Sequence, residues 1–299
     1  MLQNNSDDIK LSICIVNYNI TDCVLALIES IHQNITSIVY EILVVDNASE
    51  DNPERITAQY EDVKLIKNNI NLYFTKADNQ NFLRAQGEYI LSINPDTLIT
   101  ANAIENMIDF LKFNSEVGAV TPKFIFPNNE IQASFVRYLT FGSIFLESLN
   151  SLFTNKTNHL DELGKIFYDP DKIQEAEVLY GACIMFRREV LETVGFKDER
   201  LIHGWDEYDW CIRIKKAGWK LFYINNSVII HYRSETVKNI KSDSKKIREL
   251  DIIGKNGYHY LIKKHFGNVA FIILRVIWAL VKMKSLFQKF ILPKNKQNM

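Results

Sequence analysis

Gly87-Glu88-Tyr89-Ile90-Leu91-Ser92-Ile93-Asn94-Pro95-Asp96-Thr97 is an apolar run that stops at a carboxylate, and its reading decides the fold. Tyr89 to Ile93 is expected to be a buried strand, since four of its five residues are aromatic or branched apolar and a glycine stands just before it. Pro95 ends the strand, so Asn94 and Asp96 arrive at the carboxyl edge of a sheet, where open α/β folds place their ligands. Oxygen ligands at that edge suit Mg²⁺ or Mn²⁺, which take few protein groups and lean on substrate phosphates for the rest. Asn-Pro-Asp is also a common turn sequence, and on the tripeptide alone both readings stand.

The same grammar extends upstream. Leu11 to Val16 reads as a buried strand, followed by Asn17-Tyr18-Asn19 and a helix from about Asp22 to Gln33, with Thr21 or Asp22 as its cap. Glu41 to Val45 is a second strand, ending in Asp46-Asn47-Ala48-Ser49, and Val63 to Ile66 and a helix from Thr75 to Gln86 follow. Short apolar strands alternating with helices of about a dozen residues imply a mainly parallel sheet flanked by helices. Three strands end in Asn17/Asn19, Asp46/Asn47 and Asn94/Asp96, which gathers polar groups along one edge. No GxGxxG or GxxxxGK[ST] is present, so phosphates are left to a metal, and a nucleoside to carboxylates and amides. Asp46 has an alternative role as the cap of a helix over Asp51 to Tyr60.

At 299 residues, 47% hydrophobic and 24% charged, the chain is an ordinary globular protein. Its net charge of −1 hides an asymmetry: residues 252–299 carry nine Lys or Arg and no acid, leaving 26 basic against 36 acidic residues elsewhere. An acidic body argues against nucleic-acid binding, and a basic tail argues for a membrane-facing or partner-facing end. The four cysteines lack CxxC spacing, the first ten residues do not form a secretory signal, and no apolar run is long enough to span a bilayer. These features point to a cytosolic protein with reduced thiols.

Downstream, a helix over Ala101 to Phe113, strands at Val117 to Thr121 and Lys123 to Phe126, and an amphipathic helix within 138–153 are expected. A loop is expected over 154–164, and residues 137–177 as a whole are the least informative. Val178 to Phe186 returns to strand, interrupted by Gly181-Ala182, small residues that let a substrate or another backbone approach closely. Arg187 to Val194 is expected to be a short helix ended by Gly195. The second informative stretch is Trp205-Asp206-Glu207-Tyr208-Asp209-Trp210, where three acids crowd into the first turn of a helix that Gly218 closes. The helix dipole favours acids there, and Asp209 with Arg213 makes an i, i+4 pair, but a cap needs only one or two. Carboxylates partly buried between tryptophans have raised pKa values, which suits a general base. Strands at Lys220 to Ile224 and Val228 to Ile230 then lead to His231, either a structural hydrogen bonder or a partner of Asp96 in a metal site.

In order, Ile15-Val16-Asn17-Tyr18-Asn19, Val44-Val45-Asp46-Asn47-Ala48-Ser49, Asn94-Pro95-Asp96-Thr97, Gly181-Ala182-Cys183 with Arg187-Arg188-Glu189, and Trp205-Asp206-Glu207-Tyr208-Asp209 resemble the family 2 glycosyltransferases. Within that family the resemblance is to the rhamnosyltransferase-like members of bacterial surface-polysaccharide pathways such as O-antigen and capsule. It covers about residues 11–233 and implies a GT-A fold over 1–235 with a helical extension over 236–299. The resemblance further implies inverting transfer from a nucleotide-diphospho-sugar, with thymidine-diphospho-rhamnose as the expected donor and a UDP-sugar next. Asp46 would read the base, Asn17 and Tyr18 would line the nucleoside pocket, and Asn19, Asn47, Asn79 and Asn94 belong to the same nucleotide site. Asp96, with His231, would hold Mg²⁺ or Mn²⁺. Glu207 takes the base position with Asp206 as its rival, Asp209 is the acceptor-side acid, and Gly181, Ala182 and Trp205 are assigned to the acceptor.

Two departures from the family pattern stand out: the glycine-rich donor stretch reads Asn71-Leu72-Tyr73-Phe74-Thr75-Lys76-Ala77-Asp78-Asn79, and the acid pair is reversed in type. A non-catalytic nucleotide-sugar or glycan-binding partner is therefore the alternative reading. A sugar nucleotidyltransferase would want a glycine-rich basic loop after the first strand, which Asn17 to Thr21 does not supply. The basic tail, with helices over Gly257 to Phe266 and Val269 to Leu292, is expected to lie on the inner face of the cell membrane, near an undecaprenyl-diphosphate-linked or other glycan acceptor. Packing on the body or a homodimer contact is its other role.

Overall fold

In the computed structural model, residues 9–137, 140–153, 169–202, 204–233 and 244–291 are described, without the side chains of 244–246 and 288–291. The loop expected over 154–164, the side chains of Lys289 and Phe290, and Leu292 lie outside the described residues.

Four strands form the parallel half of the sheet: β1 (Leu11–Asn17), β2 (Tyr40–Asp46), β3 (Val63–Lys67) and β4 (Tyr89–Ile93). β1 lies between β2 and β4, and β3 is outermost beyond β2. The helices between them are α1 (Thr21–Asn34), α2 (Glu54–Gln59) and α3 (Tyr73–Arg84), as the alternation of apolar runs requires. β1 and β4 are buried along their whole length, and their side chains divide by period two between the faces. Leu11, Ile13, Ile15, Tyr89 and Leu91 pack with α1 and with α4 (Ala103–Phe113), while Cys14 and Ile90 join the core on the opposite face. α1 takes its N-terminal cap from neither expected residue: the Asp51 carboxylate accepts the Thr21 backbone N–H and hydroxyl, each at 2.7 Å.

The other half of the sheet changes direction. β10 (Cys183–Arg187) pairs antiparallel with β4 and with β6 (Val117–Ile125), and β6 runs parallel to β11 (Lys220–His231). β5 (Thr97–Ile99) and β8 (Gln174–Glu175) flank β11, while β7 (Phe135–Val136) and β9 (Val178–Leu179) form a separate ribbon. The sequence suggests two strands on either side of Pro122 and two on either side of residues 225–227; each pair is one continuous strand. The register shifts between Ile224 and Val228, opposite Pro122 and Lys123, so a bulge absorbs the hydrogen bond that proline cannot donate.

Among the described residues four further helices follow: α5 (Phe141–Phe153), α6 (Arg188–Val194), α7 (Asp206–Lys216) and α8 (Ser244–Ile291). Trp210 of α7 is fully buried against Phe82 of α3 and Phe186 of β10, with ring centroids 6.0 and 4.8 Å away, and this fixes α7 on the sheet. α8 breaks at Gly267 (φ 84°, ψ 173°), a backbone conformation open only to glycine, into arms 244–266 and 268–291. Leu261, Ile262 and Leu274, from both arms, enter the same core as Trp210. The C-terminal segment is therefore packed on the body.

Candidate active site

The parallel strands β1, β2 and β4 all end at one edge, and the register sets Asn17 beside Asp46. Asp46 is fully buried. Its carboxylate accepts the Asn17 amide at 2.9 Å and the Ser49 backbone N–H at 3.1 Å, so it holds the 46–49 turn and does not cap α2, which begins at Glu54. Asn47 donates to Asn71 Oδ1 at 2.8 Å and accepts from the Leu72 N–H at 2.8 Å, pinning the segment that leads into α3. Asn19, in the left-handed region at φ 56°, accepts the Glu50 N–H at 2.7 Å. These expected nucleoside contacts frame the edge, and Tyr18 and Asn19, both half-buried, are the residues among them with surface to offer.

Asn79 does not belong to that edge. Its amide donates to the Lys197 carbonyl at 3.0 Å and accepts the Lys197 N–H at 3.1 Å, bracing α3 against the segment before α7, where a nucleotide contact was expected of it.

Asp96 and His231 do come together. Thr97 pairs with His231 across β5 and β11, and the Tyr232 N–H donates to the Asp96 carbonyl at 2.9 Å. Both side chains are buried, with His231 Nε2 at 3.6 Å from Asp96 Oδ1. Gln132 donates to the His231 carbonyl at 2.6 Å, which aims its Oε1 at His231 Nδ1, 3.0 Å away. That arrangement makes Nδ1 the donor to Gln132 and turns Nε2 toward the Asp96 carboxylate. Nε2 and the carboxylate would together offer two ligands to a divalent cation held between them. Among the described residues no three His, Cys, Asp or Glu are placed to hold a metal ion, so the remaining ligands would come from a diphosphate and water.

The acids of α7 are placed next to this edge through Gly181 and Ala182. The Asn94 N–H donates to the Ala182 carbonyl at 2.8 Å, tying the β4 end to the start of β10. A Cβ on Gly181 would lie 2.6 Å from Glu207 Cδ and 2.8 Å from Glu207 Cγ. The small residue therefore makes room for the acid, whereas an acceptor contact was expected of it, and Ala182 is itself buried. Burial and then the charge of adjacent Asp206 push the Glu207 carboxyl up to about 8, against the pull of Lys197.

The other two acids point elsewhere. Asp206 is buried 3.4 Å from Lys197 Nζ, which also lies 3.0 Å from Asp78, itself bonded to Ser92 of β4. Asp209 has no exposed surface. It accepts from Arg213 at 2.8 Å, Lys264 at 2.6 Å and His265 at 2.8 Å, so the acid expected on the acceptor side is engaged as a clasp for α8. Burial opposes its ionisation, but bonds from His265, Lys264 and Arg213 prevail and hold its pKa at about 2. Trp205, expected at the acceptor, gives its indole N–H to the Gly254 carbonyl at 3.1 Å and packs on Tyr258 at 4.8 Å.

Sequence reasoning passed over Lys197, Asp78 and Gln132. Lys197 sits in Phe196-Lys197-Asp198-Glu199-Arg200, which reads as a solvated charged loop. Its burial is a property of the packed structure alone.

The family model described as Glycosyl transferase family 2 matches residues 12–195. An N-acetylglucosaminyl-diphospho-decaprenol L-rhamnosyltransferase of Mycobacterium tuberculosis is 21% identical over 238 residues, which is 76% of each chain. Among solved structures, S. aureus TarS 1-349 superposes with a TM-score of 0.54 at 15% identity, covering 85% of this chain and 70% of that one. The mannosyltransferase PcManGT from Pyrobaculum calidifontis, in complex with GDP-Man and Mn²⁺, superposes at 0.52 with 17% identity, covering 95% and 81%. The fold is that of the GT-A glycosyltransferases, a mostly parallel sheet flanked by helices.

Proposed function

The chain belongs to glycosyl transferase family 2, and from that premise we propose that it moves a sugar, with inversion, from a nucleotide-diphospho-sugar to a hydroxyl of a lipid-linked or glycan acceptor in surface-polysaccharide synthesis. The observation that carries the reading is the seat of Glu207: its side chain lies against Gly181, whose neighbour Ala182 is bonded to the strand end that bears Asp96, and burial there raises the proton affinity of the carboxyl, to a pKa of about 8. Near that pH a carboxylate both accepts a proton readily and is present in its basic form.

In this reading Glu207 takes the proton of the acceptor hydroxyl as its oxygen attacks the anomeric carbon. Asp96 and His231 would hold Mg²⁺ or Mn²⁺, whose part is to neutralise the departing diphosphate as a Lewis acid. The sugar between them becomes oxocarbenium-like, so base and diphosphate must stand on opposite faces of the ring. Asp206 is the weaker candidate for the base because Lys197 already neutralises it.

The named relative supports L-rhamnose as the sugar and a polyprenyl-diphosphate-linked glycan as the acceptor. The exposed apolar residues of α8, Val269, Ile272, Val276 and Phe287, lie among Lys263, Arg275, Lys282 and Lys284, which supports a place on the inner face of the membrane, where such an acceptor resides.

The test is turnover with a panel of nucleotide sugars and Mn²⁺, following nucleotide release. Thymidine-diphospho-rhamnose is expected to give metal-dependent release that falls at least about 100-fold in Glu207→Gln, the scale of a lost general base. Binding without release for any donor would favour a non-catalytic partner instead.

A further inference from the structure

A buried lysine stands between two carboxyl groups, Asp78 at 3.0 Å and Asp206 at 3.4 Å, and Glu207 follows Asp206 in the chain. Side-chain exposure is 1% for Lys197, 1% for Asp78 and 2% for Asp206. The ammonium also lies over the rings of Phe74 and Phe82, at 5.1 and 5.9 Å from their centroids. Its backbone is gripped on both sides by Asn79, and Asp78 is fastened to Ser92 of β4 by hydroxyl bonds of 2.9 and 3.1 Å. One lysine therefore links the strand leading to Asp96 with the helix that begins at Asp206.

We propose that Lys197 is a positioning residue for Glu207: by bridging Asp78 and Asp206 it gives those two acids their counter-charge and leaves Glu207 the least compensated carboxyl of the group, the one that exchanges a proton. The inference rests on Glu207 being the base and says what prepares it.

Stability alone is a weak reason for such a cluster. Burying a salt bridge costs desolvation on both sides, and apolar side chains of the same volume often serve as well or better. Charge counting supplies another reason. With all groups ionised, three carboxylates face one ammonium, and the residual repulsion is relieved at the acid with least compensation. Asp78 has Lys197 and Ser92, and Asp206 has Lys197 at 3.4 Å. Glu207 is faced by Asp206 on its own helix, by the Cys211 thiol one turn on, and by uncharged Gly181 from the β9–β10 segment, and Lys197, which is in contact with Asp206, is the cation that acts on it. The proton consequently goes to Glu207, where an incoming diphosphate-bound cation or acceptor hydroxyl can change its affinity.

The test reads the proton directly on the full-length chain. Carboxyl ¹³C NMR of glutamate-labelled protein, with the Glu207 signal assigned by its loss in Glu207→Gln, gives the titration midpoint without any turnover. Lys197→Met is expected to raise that midpoint by one pH unit or more, a tenfold change in proton affinity, because the cation is gone. Asp78→Asn is expected to lower it, because one anion is removed while the cation stays and turns to Asp206. Lys197→Arg is expected to leave it within a few tenths of a unit. If Lys197→Met fails to fold, Asp78→Asn decides alone. An unmoved midpoint in Asp78→Asn, or shifts of the same sign in both variants, overturns the proposal. In the transferase assay the rising limb of kcat/KM against pH should follow the NMR midpoint. Midpoint shifts in a chain that transfers no sugar would remove the transferase reading while leaving the Lys197 linkage intact.

Discussion

A single methyl group separates Gly181 from alanine, and the difference falls on Glu207. The methyl group would meet the carboxyl end of a flexible side chain, with no backbone in its way, so the chain should fold with the Glu207 carboxyl displaced. Gly181→Ala is expected to lower kcat about 100-fold, the usual result of misplacing a reacting group by an ångström, with Tm unchanged within about 2 °C. A thermal melt beside a rate measurement checks it, and equal loss of both would show a structural glycine only. At this scale the sequence was legible in part. Asp96 with His231 and the acid pair at 206 and 207 were read from strand ends and a helix start. Lys197 and Asp78 were not, because an isolated charged residue carries no sign of whether a counter-charge from another element will cover it.

At the level of elements, α7 is held between the sheet and α8. Trp210 supplies the apolar side of that attachment and Asp209 the polar side, through Arg213, Lys264 and His265. The pKa of Asp209 is lower folded than unfolded, so its contribution to stability is complete above about pH 4 and is lost as the pH falls toward 2. Asp209→Asn leaves Lys264 and Arg213 without their buried partner and should cost about 3 kcal/mol at neutral pH. The gap between variant and native, followed by denaturant titration, should close as the pH drops from about 4 to about 2. A constant gap would mean that packing, and not charge, sets the contribution. The i, i+4 pair of Asp209 and Arg213 was visible in the sequence. That two residues of the C-terminal helix complete the clasp was not, since they lie more than 50 positions away.

For the whole molecule, α8 both closes the core and carries an outward apolar face with a basic fringe. Among the described residues no helix is long and apolar enough to cross a membrane, and the face suits contact with a bilayer surface. Sedimentation with vesicles is expected to show binding to phosphatidylglycerol and little to phosphatidylcholine, falling as salt rises. Arg275→Glu with Lys282→Glu should weaken it at least tenfold, since each basic residue near such a surface contributes about 1 kcal/mol. Equal binding to both lipids would assign the face to another partner, a second copy of the chain included.

Read alone, the amino-acid order settles the alternation of strand and helix, the mostly parallel sheet and the edge at which Asn17, Asp46 and Asp96 emerge. Those follow from hydrophobic period and from breakers, which act within a few residues. What each polar side chain does at that edge is decided by long-range packing. Folding turns Asp46 and Asn47 into loop anchors, draws Asp209 and Trp205 under α8, and sets Glu207 against Gly181. The reason is physical: burial and counter-charges fix a carboxylate's role, and both are contributed by residues distant in the chain.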